Sequence, residues 1–328
     1  MSVVIERDPV PQGPRTVAPG VLGMVFVGSS VAVSAALTTA PLLIAQAIRY
    51  GVAAVVLAAL ARFLGIRIAA PRGREWLWLA GIAATGLVLF NIAVVRGVAH
   101  AQPAMIAVAV ACAPVVLGVF GPLLQRQAPQ RKIVLAAVVV TAGAVLVEGA
   151  GHGDAAGIAW AVVALATEAA FTLLAVPVLG RHGPWGVSVH SVWMGAVMFT
   201  TLAAITEGPA AVTRLSAADL GAIAYLALLV TVAAFVLWYT TVAALGPGRV
   251  GLLTGIAPVA AALTGIATGG RAPSPLMWAG MGVVLTGLGA GLSSRSRPGP
   301  GPGPGLRPVP RPGTLASCAV APADGRLD

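Results

Sequence analysis

Charge is what this chain has least of. Only 9% of its 328 residues are Asp, Glu, Lys or Arg, far below the roughly 25% of an ordinary soluble domain. With 58% of residues hydrophobic and a mean hydropathy of +0.93, that scarcity excludes a soluble globular protein. Cysteine is nearly absent: Cys112 lies inside an apolar run and Cys318 near the C-terminal end. No disulfide framework follows, and no His, Cys, Asp or Glu spacing suits a metal. Lysine occurs once, at Lys132, outside any Gly-rich phosphate cradle, so ATP-driven pumping by this chain alone is not expected. There is no HExxH, and the serines of "GSS" at 28–30 lack a GxSxG context. The chain is therefore not read as an enzyme, and no cofactor is expected.

What fills the chain is apolar runs of membrane-crossing length. Ten candidate spans cover 17–37, 41–64, 76–95, 103–124, 132–149, 155–179, 186–206, 218–244, 250–268 and 275–293. No connection is long enough for a soluble domain, so any chemistry belongs to the membrane or its faces. The first run ends in "AVSA", a small-residue pattern of signal-peptidase type. Glu6 and Asp8 upstream, and the repeat described below, favour keeping this run as a span.

The net charge of +10 comes from residues scattered between apolar runs, a loop pattern and not a nucleic-acid groove. With the N-terminus cytoplasmic, the inside segments hold sixteen basic residues and the outside ones only Arg96, Arg214 and Arg271. Both termini are thus expected in the cytoplasm. The Arg-, Ala- and Gly-rich composition suits a high-GC bacterium, hence the bacterial inner membrane. The tail from 294 to 328, with "RPGPGPGPGLRPVPRPG", cannot build a core and reads as a disordered cytoplasmic tail, as residues 1–16 read as a cytoplasmic N-terminal segment.

An internal repeat is the strongest signal. At a shift of 144 residues, "VAHAQPAMIAVAVACAPVV" (98–116) overlies "VAALGPGRVGLLTGIAPVA" (242–260). Pro103 then meets Pro247, Pro114 meets Pro258, Pro129 meets Pro273, and Gly143 meets Gly287. The unit is five spans, 17–149 and 155–293. Because five is odd, the second copy enters the membrane from the opposite side. The expected fold is all-α and integral to the membrane, with ten transmembrane helices as two inverted five-helix repeats, an arrangement suited to alternating access around a midplane site.

These features resemble the EamA family of the drug/metabolite transporter superfamily. The resemblance covers about 17–293 and rests on the duplicated five-span unit, on "APLLIAQAIRYG" at 40–51, and on the Ala-Pro step deep in spans 4 and 9. Such proteins usually carry a Gly-Glu pair after spans 4 and 9. Here those places read "LLQRQAP" and "TGGRAP", with Arg where an acid is expected. The resemblance implies a secondary transporter, exporting a small organic metabolite such as an amino acid, a related metabolite or a drug. Uptake by the same fold is the alternative, and a membrane enzyme or a non-transporting scaffold stands further off.

Ionisable groups inside spans invite functional readings because each costs roughly 2.5–3.5 kcal/mol at a helix centre on insertion scales. Arg49 lies eight residues into span 2, where the resemblance places an arginine at the central cavity; the alternative is pairing with backbone carbonyls or fixing the interface between halves. Glu168, the acid deepest in a span, is read as a proton-coupling or substrate-contacting group, or else as the structural partner of Arg49. His190 is either titratable or a packing histidine. Asn91 and Tyr239, in the matched spans 3 and 8, offer hydrogen bonds to a small-molecule substrate or act as helix–helix glue. Pro114 and Pro258 complete the candidate site as paired kinks, or as a tolerated kink copied by the duplication. Trp193 and Trp238 suit an apolar pocket lining, and Trp76 and Trp78 suit interfacial anchors among membrane lipid. Gly287 and Gly291 form a small-xxx-small pair; it fits a homodimer, but packing within the chain explains it as well.

The charge bias yields a direct test. A fluorescent protein fused after Ser294 should fluoresce, and alkaline phosphatase fused there should be inactive. An active phosphatase reverses the orientation.

Overall fold

The computed structural model describes residues 14–34, 37, 40–149, 151–268 and 273–293. The first thirteen residues, Arg271 and the Pro/Gly-rich tail read as disordered lie outside them. Among the described residues all regular structure is helical, apart from one isolated bridge between Ala101 and Gly153. In hydrocarbon no water can satisfy backbone N–H and C=O groups, so a lone apolar segment closes its hydrogen bonds internally as a helix.

The helices are α1 (Pro14–Ser34), α2 (Leu42–Phe63), α3 (Glu75–Val98), α4 (Pro103–Leu124), α5 (Arg131–Glu148), α6 (Ala155–Leu173), α7 (Val176–Thr206), α8 (Ala217–Leu245), α9 (Pro247–Ala267) and α10 (Pro275–Leu292). Eight of them are long and apolar enough to cross a membrane by length and composition; α1 and α5 are the two outside that set. Their ends follow local chemistry. Pro103, Pro247 and Pro275 open helices at the first position, where a missing N–H costs nothing. Ser216 and Asp219 form a reciprocal capping box at the start of α8.

One boundary differs from the sequence expectation. Span 6 was expected to run to 179, but α6 ends at Leu173, and the chain turns and resumes at Val176. Helicity then breaks at Gly183, with φ 63° and ψ 177°, before Pro184 starts the long part of α7. A residue preceding proline is driven out of the α region, and glycine accepts the positive φ that this turn requires.

Four irregular segments fall in matched places. A π-helical stretch occupies Ala83–Leu89 in α3, and another occupies Leu226–Ala233 in α8. The 144-residue shift carries the first onto the second within one residue. α4 breaks at Ala111 and Cys112 and restarts at Ala113. α9 runs as a 3-10 helix over Gly251–Gly255 and restarts at Ile256. Pro114 and Pro258 therefore sit in the first turn of a new helical piece, where their missing N–H would be unpaired in any case. The hydroxyl of Thr141 on α5 donates to the carbonyl of Ala111 at 3.1 Å, satisfying the break in α4 from outside.

Three of the five matched pairs meet, α5 with α10, α2 with α7 and α4 with α9, and each runs antiparallel. Along α5 and α10, Ala136 faces Gly291, Val140 faces Gly287, and Val147 faces Gly280. Tyr50 of α2 stacks on Phe199 of α7, with centroids 5.4 Å apart, while Val189 near the start of α7 lies with Ala61 near the end of α2. The remaining helices pack on unmatched neighbours: α1 on α8 and α9, and α6 on α3 and α4.

The α4–α9 pair breaks this symmetry. Residues 247–253 of α9 are all buried, whereas of their counterparts 103–109 only Ile106 is. The C-terminal half of α4 covers them: a Cβ on Gly121 would lie 2.9 Å from Gly248 N, whereas Gly265, its counterpart, has nothing within 4 Å. The two helices are closed together at one end and apart at the other.

The α5–α10 seam depends on glycine. A Cβ on Gly143 would lie 2.6 Å from Val284 N and 2.8 Å from Gly280 O, whereas one on Gly118 would meet Ala137 at an ordinary 3.7 Å. Gly143→Ala should therefore cost about 1–3 kcal/mol, as over-packing does, while Gly118→Ala should leave the thermal unfolding midpoint in detergent near wild type. Equal midpoints for the two variants would show that the seam gives way freely.

Candidate functional site

α2 carries Arg49 into the middle of the helix set, and a chain of hydrogen bonds leads away from it in both directions. Its Nε–H donates to Thr231 Oγ1 at 2.9 Å, and the Thr231 hydroxyl donates to the carbonyl of Leu226 at 3.1 Å. On the other side Arg49 Nη1 donates to Gln46 Oε1 at 3.4 Å, and Gln46 Nε2 donates to Asn91 Oδ1 at 2.8 Å. Asn91 Nδ2 in turn donates to the carbonyl of Leu87 at 2.6 Å and to the Tyr50 hydroxyl at 3.4 Å. The network thus begins and ends on carbonyls of the two matched π-helical stretches. A π turn widens the ladder to i→i+5 and leaves backbone groups for side chains to use.

No carboxylate pairs with Arg49 among the described residues, and Arg49 Nη2 has no hydrogen-bond partner there. Its guanidinium stands 5.0 Å from the centroid of the Tyr50 ring, a cation–π distance. A guanidinium inside a span with a donor to spare has the chemistry to bind an anionic oxygen.

Glu168 on α6 belongs to a separate group. It is half-buried, lies within electrostatic range of Tyr239, and has no hydrogen bond or ion pair among the described residues. The alternative of a structural pair between Arg49 and Glu168 is not what forms. Tyr239 is fully buried, donates from its hydroxyl to Phe171 O at 3.2 Å, and packs its ring with Phe171 and Phe235. A carboxylate without a partner beside an aromatic wall can hold a proton or an amine.

His190 lies elsewhere again. One imidazole nitrogen, Nε2, is 2.9 Å from Ala69 O, and Trp193 Nε1–H donates to the other, Nδ1, at 3.2 Å. A carbonyl can only accept and an indole N–H can only donate. The ring is therefore neutral with its proton on Nε2. The structure brings Arg49 and Asn91 into one network and Glu168 and Tyr239 into a second group. It leaves His190 with Trp193, and Pro114 and Pro258 at the helix restarts. Trp76 meets Trp193 edge-on with centroids 6.2 Å apart, and Trp238 donates to Thr172 at 3.0 Å.

Gln46 and Thr231 are the members that sequence reasoning missed. A signal for Gln46 existed: the repeat shift pairs Gln46 with His190 and Arg49 with Trp193. In both copies the residue at i+3 donates to the residue at i. Thr231 carried no such signal, because its role depends on the π turn beneath it.

Two blocks of the chain, 17–149 and 155–290, match the EamA-like transporter family, one block per repeat. The chain belongs to that family. It is a multi-pass membrane protein of the transporter class, consistent with the drug/metabolite transporter superfamily. One relative is an uncharacterized transporter, YetK, of Bacillus subtilis, 25% identical over 248 residues that cover 73% of this chain and 75% of YetK. Another is a probable terminal-alkyne amino-acid exporter of Streptantibioticus cattleyicolor, 28% identical over 245 residues, covering 73% and 80%. A solved crystal structure superposes with a TM-score of 0.71 over 84% of this chain and 96% of that one, at 18% identity, and shows the shared fold.

The hydroxyl of Thr231 links Arg49 to the π turn. Thr231→Val leaves the Arg49 Nε–H and the Leu226 carbonyl without this partner and should cost about 1–3 kcal/mol, read as a lower unfolding midpoint; Thr231→Ser should restore it. A Val variant as stable as wild type would remove the network from the stability of the fold.

Proposed function

We propose that this EamA-like protein exports a small metabolite bearing a carboxylate, an amino acid or a close relative of one, across the bacterial inner membrane. The observation that carries the reading is Arg49, a guanidinium at membrane depth with no carboxylate of its own and an unused donor. The substrate's carboxylate docks there, Asn91 helps to fix it through Gln46, and Glu168 with Tyr239 receives the amine or a coupling proton. The exporter from Streptantibioticus cattleyicolor supports both the direction and the amino-acid class.

The ten-span count includes α1 and α5. α5 misses the apolar criterion only through Arg131, Lys132 and Glu148 at its two ends, and its counterpart in the second repeat is α10, residue for residue at the same shift. Antiparallel contact between matched helices is what an in-plane two-fold axis between inverted repeats produces, and both termini then face the cytoplasm. Alternating access follows from the lopsided α4–α9 contact. Closure where Gly121 meets Gly248 accompanies separation at Ala104 and Gly265, and the opposite state exchanges the two. Pro114 and Pro258, at the helix restarts, are the bending points, and His190 steadies the second copy of the Arg49 position.

Uptake of labelled amino acids into proteoliposomes preloaded with unlabelled amino acid tests this, with the decarboxylated amines as controls. Amino acids should exchange and the amines should not. Arg49→Gln should lower exchange about tenfold or more, the scale of a lost charge-assisted contact, while folding normally. Amine exchange as fast as amino-acid exchange, or an unimpaired Arg49→Gln, would overturn the reading.

A further inference from the structure

The end of α2 is built into a cavity. Leu64 N–H still bonds Leu60 O, but Ile66 N–H reaches back to Ala61 O at 2.8 Å, while Gly65 takes φ 67°. This glycine-dependent cap folds the chain over the helix end and sets Arg67 near Arg62. The connection is then tied to α7 at two points: the His190 imidazole donates to Ala69 O at 2.9 Å, and Arg181 Nη2 donates to Ala70 O at 3.1 Å. Beneath the tied strap lies a cavity of about 450 Å³. Ala58, Ala61, Ile66 and Val189 give it an apolar floor, and Arg62 and Arg67 stand at its rim.

Neither rim guanidinium has a hydrogen-bond or ion-pair partner among the described residues. The acid of this region, Glu75, is already held by Arg181 and by His182. Ala58 is exposed, and so are Val55, Phe63 and Leu64 beside it, so the cavity opens where the apolar surface of α2 reaches its end. Such a place, at the boundary of a span, takes a ligand with a negative head and an apolar chain.

We propose that this cavity binds one anionic phospholipid, its headgroup phosphate between Arg62 and Arg67 and an acyl chain along Ala58 and Val189. The phosphate meets two guanidiniums that the protein leaves unneutralised, and the small side chain of Ala58 leaves the chain's path open. The site is separate from the Arg49 network, and its occupancy is read without any transport measurement.

The test is native mass spectrometry of the full chain in detergent, exposed to phosphatidylglycerol and phosphatidylcholine in equal amounts. Wild type should retain one phosphatidylglycerol with about tenfold or greater preference, as two arginines at a membrane surface provide. The double variant Arg62→Gln/Arg67→Gln should lose that preference. Ala58→Trp, an exposed change that keeps both charges, should lose the bound lipid as well. A large excess of inorganic phosphate should leave the lipid in place. The proposal is overturned by wild type retaining both lipids equally, by either variant retaining phosphatidylglycerol as wild type does, or by displacement with phosphate, which would make the rim a simple anion site.

Discussion

Every backbone amide inside a bilayer must find its partner within the protein, because lipid offers none. That constraint makes the irregular segments of this transporter informative. Where α3 and α8 widen into π turns, Asn91 and Thr231 bond to carbonyls of those turns. Where α4 breaks before Pro114, Thr141 reaches across from α5 to the Ala111 carbonyl. These three departures from the α-helix are each met by a polar side chain. Two of these groups, Asn91 and Thr231, also belong to the network around Arg49.

The arginine gains its character from the same constraint. Its Nε and Nη1 are used by neutral acceptors, so its position is fixed while its charge is not cancelled. A carboxylate partner would have made it a structural ion pair. Threonine and glutamine hold it without neutralising it, where α2 of one repeat meets α8 of the other. The equivalent position in the second repeat holds Trp193, donating to neutral His190. One hydrogen-bond pattern thus serves a cation in one copy and an aromatic ring in the other.

Duplication also explains why the lopsided α4–α9 contact matters. The small residues that permit close approach at one end have counterparts at the other, Gly121 in Gly265 and Gly248 in Ala104. Gly121 lies against Gly248 while its counterpart Gly265 has open surroundings, so matched positions of the two repeats are packed differently in one structure.

Composition and hydropathy alone determined that this chain lives in a membrane and is helical, because apolar runs with 9% charge have no other stable form. The proline and glycine matches at a constant shift revealed the repeat, and Arg49, Asn91 and Glu168 stood out because polar groups are rare and costly in spans. Tertiary structure decided the rest. That Asn91 joins Arg49 through Gln46, that Glu168 stands apart with Tyr239, and that His190 is locked by Trp193 all depend on which faces of different helices meet. So do Thr231, visible only once the π turn placed it, and the cavity under the strap after Gly65. Hydrophobic pattern is a property of each segment by itself. Partnership between side chains far apart in the chain is fixed only when the helices pack.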